Sequence, residues 1–120
     1  MLFRSDFQIT KLTTDQFHII NVYWKGKSET TFICALKSIM TDSSKSIILG
    51  DFNYNILTDG NKKVSSWLSS QQLTQRITRP TQIQGGLIDH VWIPESLLPF
   101  IEVRQKSLHY SDHEIGRAHV

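Results

Sequence analysis

The sequence predicts an α+β fold in which a mixed sheet packs with two helices. Three observations predict it: apolar patterns typical of strands occur five times, apolar residues repeat at helical spacing twice, and the two kinds of segment interleave. The composition agrees, because 39% hydrophobic and 20% charged residues in a chain of 120 are usual for a globular domain. A chain of this length has room for one core.

The first two strands are predicted to pair as a hairpin. Residues 6–13 alternate apolar and polar side chains, as a strand with one buried face does. Residues 17–24 are rich in β-branched and aromatic side chains, and Thr14 and Asp15 between the two segments favour a turn.

A helix and a central strand follow the hairpin. Ser28 is the predicted start of the helix, which carries apolar residues at helical spacing to about Thr41 and is expected to cover the sheet. Residues 45–52 contain a short continuous apolar run that stops before Asp51, a pattern typical of a central strand.

The remaining elements complete the mixed order of strands and helices. They are a second helix around Trp67, a short extended segment at 73–78, a strand at 87–93 and a last strand at 100–109.

Charge and cysteine usage exclude several classes of protein. A net charge of +2 is too small for a basic nucleic-acid tail, so any contact with phosphates has to be local. Cys34 is the only cysteine, which excludes an internal disulfide and a cysteine-based zinc site; a buried thiol is expected there. The longest nearly apolar stretch, residues 17–24, is far shorter than the roughly 20 residues of a membrane helix, so no membrane partner is expected.

Both ends of the chain resemble a translated sequencing adapter. The codons ATC GGA AGA GCA CAC GTC of a widely used adapter encode residues 115–120, and Glu114 fits the codon at the junction. The reverse complement, GTG CTC TTC CGA TCT, encodes residues 1–5 when GTG is read as a start. Residues 1–5 and 114–120 are therefore predicted to be adapter, and residues 6–113 to be the natural sequence.

Three short acidic motifs follow or interrupt predicted strands, where sheet proteins collect catalytic groups. The motifs are Asp51 with Asn53, Asp89 with His90, and Asp112 with His113. Carboxylates bind hard divalent ions, amide and imidazole donors stabilise charge on a phosphate, and an imidazole oriented by a carboxylate can move a proton.

Each motif also has a purely structural interpretation. Asp51 could form an Asx turn after its strand, and Asp112 with His113 could be an ordinary loop pair. Asp89 is harder to explain in this way, because a carboxylate within an apolar strand is costly unless it is paired. A partner for Asp89 is therefore expected.

The order of these motifs resembles that of the endonuclease/exonuclease/phosphatase superfamily, which includes DNase I and the apurinic endonucleases. The segments that carry the resemblance are Gly50-Asp51-Phe52-Asn53, Ile88-Asp89-His90-Val91-Trp92-Ile93, Ser111-Asp112-His113 and Asn21-Val22-Tyr23. Further segments resemble the endonuclease domains of non-LTR retrotransposons and related mobile elements. These are Arg79-Pro80-Thr81, Gly85-Gly86 and Tyr110-Ser111-Asp112-His113.

The resemblance implies a function and a cofactor. It implies a phosphodiester hydrolase that cuts the DNA backbone by attack of an activated water and uses Mg²⁺, with Mn²⁺ as the alternative. Asp51 would position or activate the water and Asn53 would hydrogen-bond the scissile phosphate. Asp112, together with Asp51, would belong to the metal site.

The resemblance also assigns three further site residues. His113 would contact the scissile phosphate and Asp89 would orient its imidazole. Tyr23 would reach the same phosphate through its hydroxyl group.

The chain departs from the superfamily pattern upstream of Tyr23. Members carry there a strand that ends in asparagine and another that ends in a metal-ligating glutamate, and this sequence has neither. Residues 6–113 are therefore expected to be the C-terminal portion of a four-layer α/β sandwich, and the isolated chain is expected to be inactive.

The expected partners are a DNA substrate and a reverse transcriptase fused in the full-length protein. The location would be intracellular, and nuclear for a eukaryotic retroelement. Two alternatives stay open: a phosphatase of the same superfamily acting on inositol phosphates or phospholipids, and a non-catalytic nucleic-acid-binding or pseudogene product.

Overall fold

The chain forms a mixed sheet with helices on one face, as seen in a computed structural model. The structure describes residues 2–3, 6–55, 62–77, 88–107 and 114–119. The strands are β1 (Leu2–Phe3), β2 (Phe7–Thr13), β3 (His18–Trp24), β4 (Ser46–Asp51), β5 (Leu73–Gln75), β6 (Asp89–Pro94), β7 (Glu102–Ser107) and β8 (Glu114–His119). The helices are α1 (Glu29–Ile39) and α2 (Lys63–Ser70), and two 3-10 helices span Ser43–Lys45 and Glu95–Phe100.

Six strands share one sheet in the order β1-β2-β3-β4-β6-β5, and β7 pairs with β8 separately. The β2–β3 hairpin is antiparallel, whereas β3 and β4 are parallel and are connected through α1. A parallel pair needs such a crossover, because a tight turn can only return the chain antiparallel. Both β4–β6 and β5–β6 are antiparallel, so the predicted mixed sheet and α+β class are confirmed.

The main core lies between the sheet and the two helices. Residues four apart on each helix face the sheet, Phe32 with Leu36 on α1 and Val64 with Leu68 on α2, and all four are fully buried. The strands contribute their alternate residues to the same core. These are Phe7, Ile9, Ile20, Val22, Trp24, Ile48, Leu73 and Trp92.

The opposite face of the sheet is covered only in part. Ile47, Val91 and Ile93 pack beneath residues of the second 3-10 helix and the segment that follows it, including Leu97 and Leu98. Towards β2 the cover ends, and Leu12 is 60% exposed.

The hairpin, α1 and the central strand occur where the sequence predicts them, but Ser28 plays a different part. It occupies the N-cap position of α1 without a side-chain cap, in a left-handed conformation. Its hydroxyl donates instead to Asp6 Oδ2 at 2.8 Å. The cap is therefore replaced by a link between α1 and the start of β2.

The extended segment predicted at 73–78 contains β5, and residue 78 lies outside the described residues. Two other expectations were wrong. The predicted last strand begins at Glu102 rather than at residue 100, because Glu95–Phe100 forms a 3-10 helix. Cys34 is exposed rather than buried, because it lies on the side of α1 away from Phe32 and Leu36.

Two strands had no counterpart in the prediction. These strands, β1 and β8, are formed by residues that the sequence assigns to adapter. Strand pairing does not test where codons came from, so that assignment stays a prediction. In the described part of the chain, no helix is long and apolar enough to cross a membrane.

Candidate active site

Three of the predicted site residues lie side by side in one row across the sheet. In the parallel β3–β4 pair Tyr23 is opposite Asp51, and in the antiparallel β4–β6 pair Asp51 is opposite Asp89. Residues that face each other across paired strands point to the same face of the sheet and have Cβ atoms about 5 Å apart. Tyr23, Asp51 and Asp89 therefore form one continuous polar row, on the face opposite the helices.

Gly50 allows β4 to lie close to β3 directly beside this row. Its φ is +137°, a conformation that side-chain-bearing residues rarely adopt, and a Cβ added there would lie 2.0 Å from the backbone oxygen of Val22. The glycine of the Gly50-Asp51-Phe52-Asn53 motif is thus required by a backbone approach. Any larger residue would push β3 and β4 apart.

Asp51 ends β4 and holds the turn that follows it. Its Oδ1 accepts a hydrogen bond of 2.8 Å from the backbone N–H of Asn53, which is an Asx turn. Asn53 has a φ of 56°, and asparagine tolerates this left-handed conformation better than most residues. The structural interpretation of Asp51 is therefore correct as far as it goes, and the same turn orients the carboxylate.

The residue between them anchors the turn in the core. Phe52 is fully buried, and its backbone N–H donates to the oxygen of Ile88 at 2.9 Å. Its ring stacks on His90 with centroids 4.6 Å apart and planes inclined by 9°. The position of Asp51 and Asn53 is thus set from the helix side of the sheet.

Asn53 is exposed and joins the site to the loop between β3 and α1. Its Nδ2 donates to the backbone oxygen of Lys25 at 2.9 Å, which uses one of the two N–H groups of the amide. Sequence reasoning did not single out this loop. The signal was present as Lys25-Gly26-Lys27, directly after the strand that carries Tyr23.

Asp89 stands at the start of its strand, whereas the sequence places it in the middle. Because β6 runs antiparallel to β4, the start of β6 lies beside the end of β4, and Asp89 meets Asp51 there. Asp89 is partly buried. Its predicted partner, His113, lies outside the described residues, so the expected pairing stays a prediction.

His90, the neighbour of Asp89 in the motif, belongs to the core. It is 1% exposed and points to the helix side of the sheet, because successive strand residues alternate between faces. The Nε1–H of Trp92 is 3.4 Å from its Nδ1, and Tyr54 contacts the ring edge to face. His90 therefore belongs to the core on the helix side and not to the polar row.

Tyr23 is 49% exposed at the end of the row, which leaves its phenol accessible from solvent. The other two predicted site residues, Asp112 and His113, lie outside the described residues. Within residues 6–55, 62–77 and 88–105, no group of three or more His, Cys, Asp or Glu side chains could hold a metal ion. Asp51 and Asp89 supply two neighbouring carboxylates, the donor type that Mg²⁺ prefers, but not a complete ligand set.

Comparisons with known proteins agree on one group. Residues 17–116, more than half of the chain, match a family model described as endonuclease-reverse transcriptase. Among solved structures, the chain is similar to the endonuclease domain of TRAS1, a telomere-specific non-LTR retrotransposon, with a TM-score of 0.69 and 18% identity. That match covers 94% of this chain and 60% of the TRAS1 chain. No curated protein matches.

Proposed function

Because this chain belongs to the endonuclease-reverse transcriptase family, we propose that it is part of a retroelement DNA endonuclease that hydrolyses the DNA backbone with an activated water. The observation that carries the proposal is the row Tyr23, Asp51 and Asp89, which three separate strands bring together on one face. The fold supports it, since it matches part of a known endonuclease domain.

Asp51 is the residue proposed to position or activate the attacking water. The Asx turn uses Oδ1, and the contact with the water is proposed to be made by Oδ2, the second carboxylate oxygen. A carboxylate held in one orientation by a backbone N–H is well suited to this role, because positioning lowers the entropy cost of the attack.

Asn53 and Tyr23 are proposed to bind the scissile phosphate. The remaining N–H of the Asn53 amide and the hydroxyl of Tyr23 are neutral donors, and both side chains are exposed on the solvent side of the turn and the row. Donors fixed before the substrate arrives stabilise the charge that builds on the phosphate oxygens in the transition state.

The remaining roles come from the family resemblance. Asp89 would orient the imidazole of His113, and His113 would contact the phosphate. Asp112 and Asp51 would hold Mg²⁺, or Mn²⁺ in its place. When bound, the ion neutralises charge on the phosphate oxygens.

The chain itself is proposed to have little or no activity. No glutamate precedes Tyr23, although the family carries a metal-ligating glutamate there. The chain also spans 60% of the length of the TRAS1 domain that it matches. In the four-layer sandwich proposed for the full-length protein, a further sheet would complete the site, and a reverse transcriptase would follow.

Nicking of supercoiled plasmid in Mg²⁺ tests the proposal. A version extended upstream along the parent reading frame should nick the plasmid, and EDTA or Asp51→Asn should abolish nicking, because the turn is kept while the water loses its carboxylate. The matched control is Asp15→Asn, which removes the same charge in the exposed hairpin turn and should leave nicking unchanged.

Two results would each contradict one part of the proposal. Hydrolysis of phosphoinositides without nicking of DNA would show a phosphatase instead. Nicking by the 120-residue chain, lost in Asp51→Asn and in EDTA, would overturn the proposed inactivity but not the assignment as an endonuclease.

A further inference from the structure

The loop between β3 and α1 carries two exposed lysines on a tightly anchored backbone. Lys25 and Lys27 flank Gly26, whose φ of +83° turns the chain between them. Both side chains are exposed, and neither forms an ion pair with a described residue. Since the net charge of the chain is only +2, two such charges within three residues are a local concentration.

Four hydrogen bonds fix this loop from three directions. Asp6 accepts from the backbone N–H of Lys25 through its backbone oxygen, at 2.8 Å, and from the Ser28 hydroxyl through its carboxylate, also at 2.8 Å. The indole N–H of Trp24 donates to the Lys27 oxygen at 2.7 Å. The fourth bond is the one from Asn53 Nδ2 to Lys25 described above.

A third positive charge, that of Lys62, contacts two aromatic rings next to the loop. The ammonium of Lys62, just before α2, lies 5.9 Å from the ring centroid of Trp24 and 5.7 Å from that of Tyr54. Trp24 directly precedes Lys25, and Tyr54 directly follows Asn53. These cation–π contacts therefore hold Lys62 on the helix side of the sheet, near the ends of β3 and β4 where the loop begins.

We infer that Lys25, Lys27 and Lys62 form a basic edge that binds backbone phosphates of the DNA strand next to the one held at Asn53. The two acids beside the loop in the fold and in the sequence, Asp6 and Glu29, form no ion pair with a lysine of the described residues, and the Asp6 carboxylate accepts from Ser28. Because the backbone of this loop is already ordered, little backbone entropy is lost on binding. Less of the free energy gained from lysine–phosphate contacts is therefore offset by ordering the loop.

The inference deepens the proposed function and rests on it for the choice of DNA as the polyanion. It predicts a sequence-independent contact, because lysines on phosphates read charge and not base edges. Each phosphate contact contributes about 0.9 to the slope of log K against log salt, so each lost contact weakens binding about 8-fold at 0.1 M salt.

The test is the affinity of the 120-residue chain for a fluorescent duplex of mixed sequence, measured in EDTA between about 50 and 200 mM salt. Lys25→Gln with Lys27→Gln should lower the slope by about 1.8 and weaken binding about 60-fold at 0.1 M salt. The matched control is Lys37→Gln with Lys45→Gln, which removes two exposed charges from the end of α1 and from before the start of β4. It should leave slope and affinity unchanged.

A variant that keeps both charges distinguishes the loss of phosphate contacts from a folding defect. Lys25→Arg with Lys27→Arg should keep the original slope, since arginine also contacts phosphate. Equal losses in the two glutamine pairs, or no measurable binding by the unaltered chain at about 50 mM salt, would overturn the inference. Binding that depends on these lysines, without cleavage by the extended version, would overturn the proposed function and leave the inference standing.

Discussion

The replacement of Gly50 by alanine tests the close approach of β3 and β4 beside the row. The added Cβ would lie 2.0 Å from the Val22 oxygen, well inside van der Waals contact, and neither atom is at the end of a flexible side chain. The backbone conformation alone costs a residue with a side chain about 1–3 kcal/mol. Overpacking costs about 1–3 kcal/mol more. We therefore expect Gly50→Ala to lose about 2–6 kcal/mol, a large share of the 5–15 kcal/mol typical of a domain.

Urea unfolding followed by tryptophan fluorescence measures this loss, because Trp24 and Trp92 are buried and become exposed on unfolding. Gly26→Ala is the matched control. Gly26 also has a positive φ, but its nearest neighbour for a Cβ, the Asn53 oxygen, is 3.7 Å away. Gly26→Ala should therefore lose only about 1–2 kcal/mol, which is what a left-handed conformation costs a residue with a side chain, because no atom lies close enough to clash. If Gly50→Ala is no less stable than Gly26→Ala, the argument from close backbone approach is wrong.

Two further predictions concern the carboxylates. Asp51→Asn should keep the Asx turn, because the amide oxygen of the new side chain can still accept from the backbone N–H of Asn53. Asp51→Ala removes this acceptor and should lower the free energy of unfolding, measured in urea, by about 1 kcal/mol. Equal stabilities of the two variants would contradict this. Hydrogen bonds from the side chain and backbone of Ser44 lower the pKa of Asp42 below its ordinary value of 3.8. When the pKa of a carboxyl is lower in the folded than in the unfolded state, the group stabilises the fold at pH values above the unfolded-state pKa. This stabilisation is lost as the pH falls through the folded-state pKa. The difference in urea midpoint between the original chain and Asp42→Ala should therefore be larger at about pH 6 than at about pH 3, and a difference independent of pH would refute it.

Patterns within single elements were predictable from the sequence. The β2–β3 hairpin follows from alternation across a short turn, and the end of β4 at Asp51 follows from the break in its apolar run. The Asp51 motif was recognisable because its residues are contiguous. The Asx turn offered as its structural explanation is present as well.

Features that depend on pairing between distant segments were not predictable. Asp89 is placed beside Asp51 by the antiparallel β4–β6 pair, a register that no local pattern encodes. The second 3-10 helix is held in part by the Ser96 hydroxyl donating to the Ser44 oxygen at 2.6 Å, a contact between distant residues. The burial of His90 against Phe52 likewise depends on which face β6 turns to the helices.

The row of Tyr23, Asp51 and Asp89 also bears on the order of folding. Its members come from three strands that are far apart in sequence, and the last of them belongs to β6. Non-local pairings of this kind form late, because the intervening chain must be closed into loops first. Before β6 has left the ribosome, the chain can form the hairpin, α1 and β4. The row then contains Tyr23 and Asp51 but not Asp89. The row is therefore completed only when β6 pairs with β4 and brings Asp89 beside Asp51.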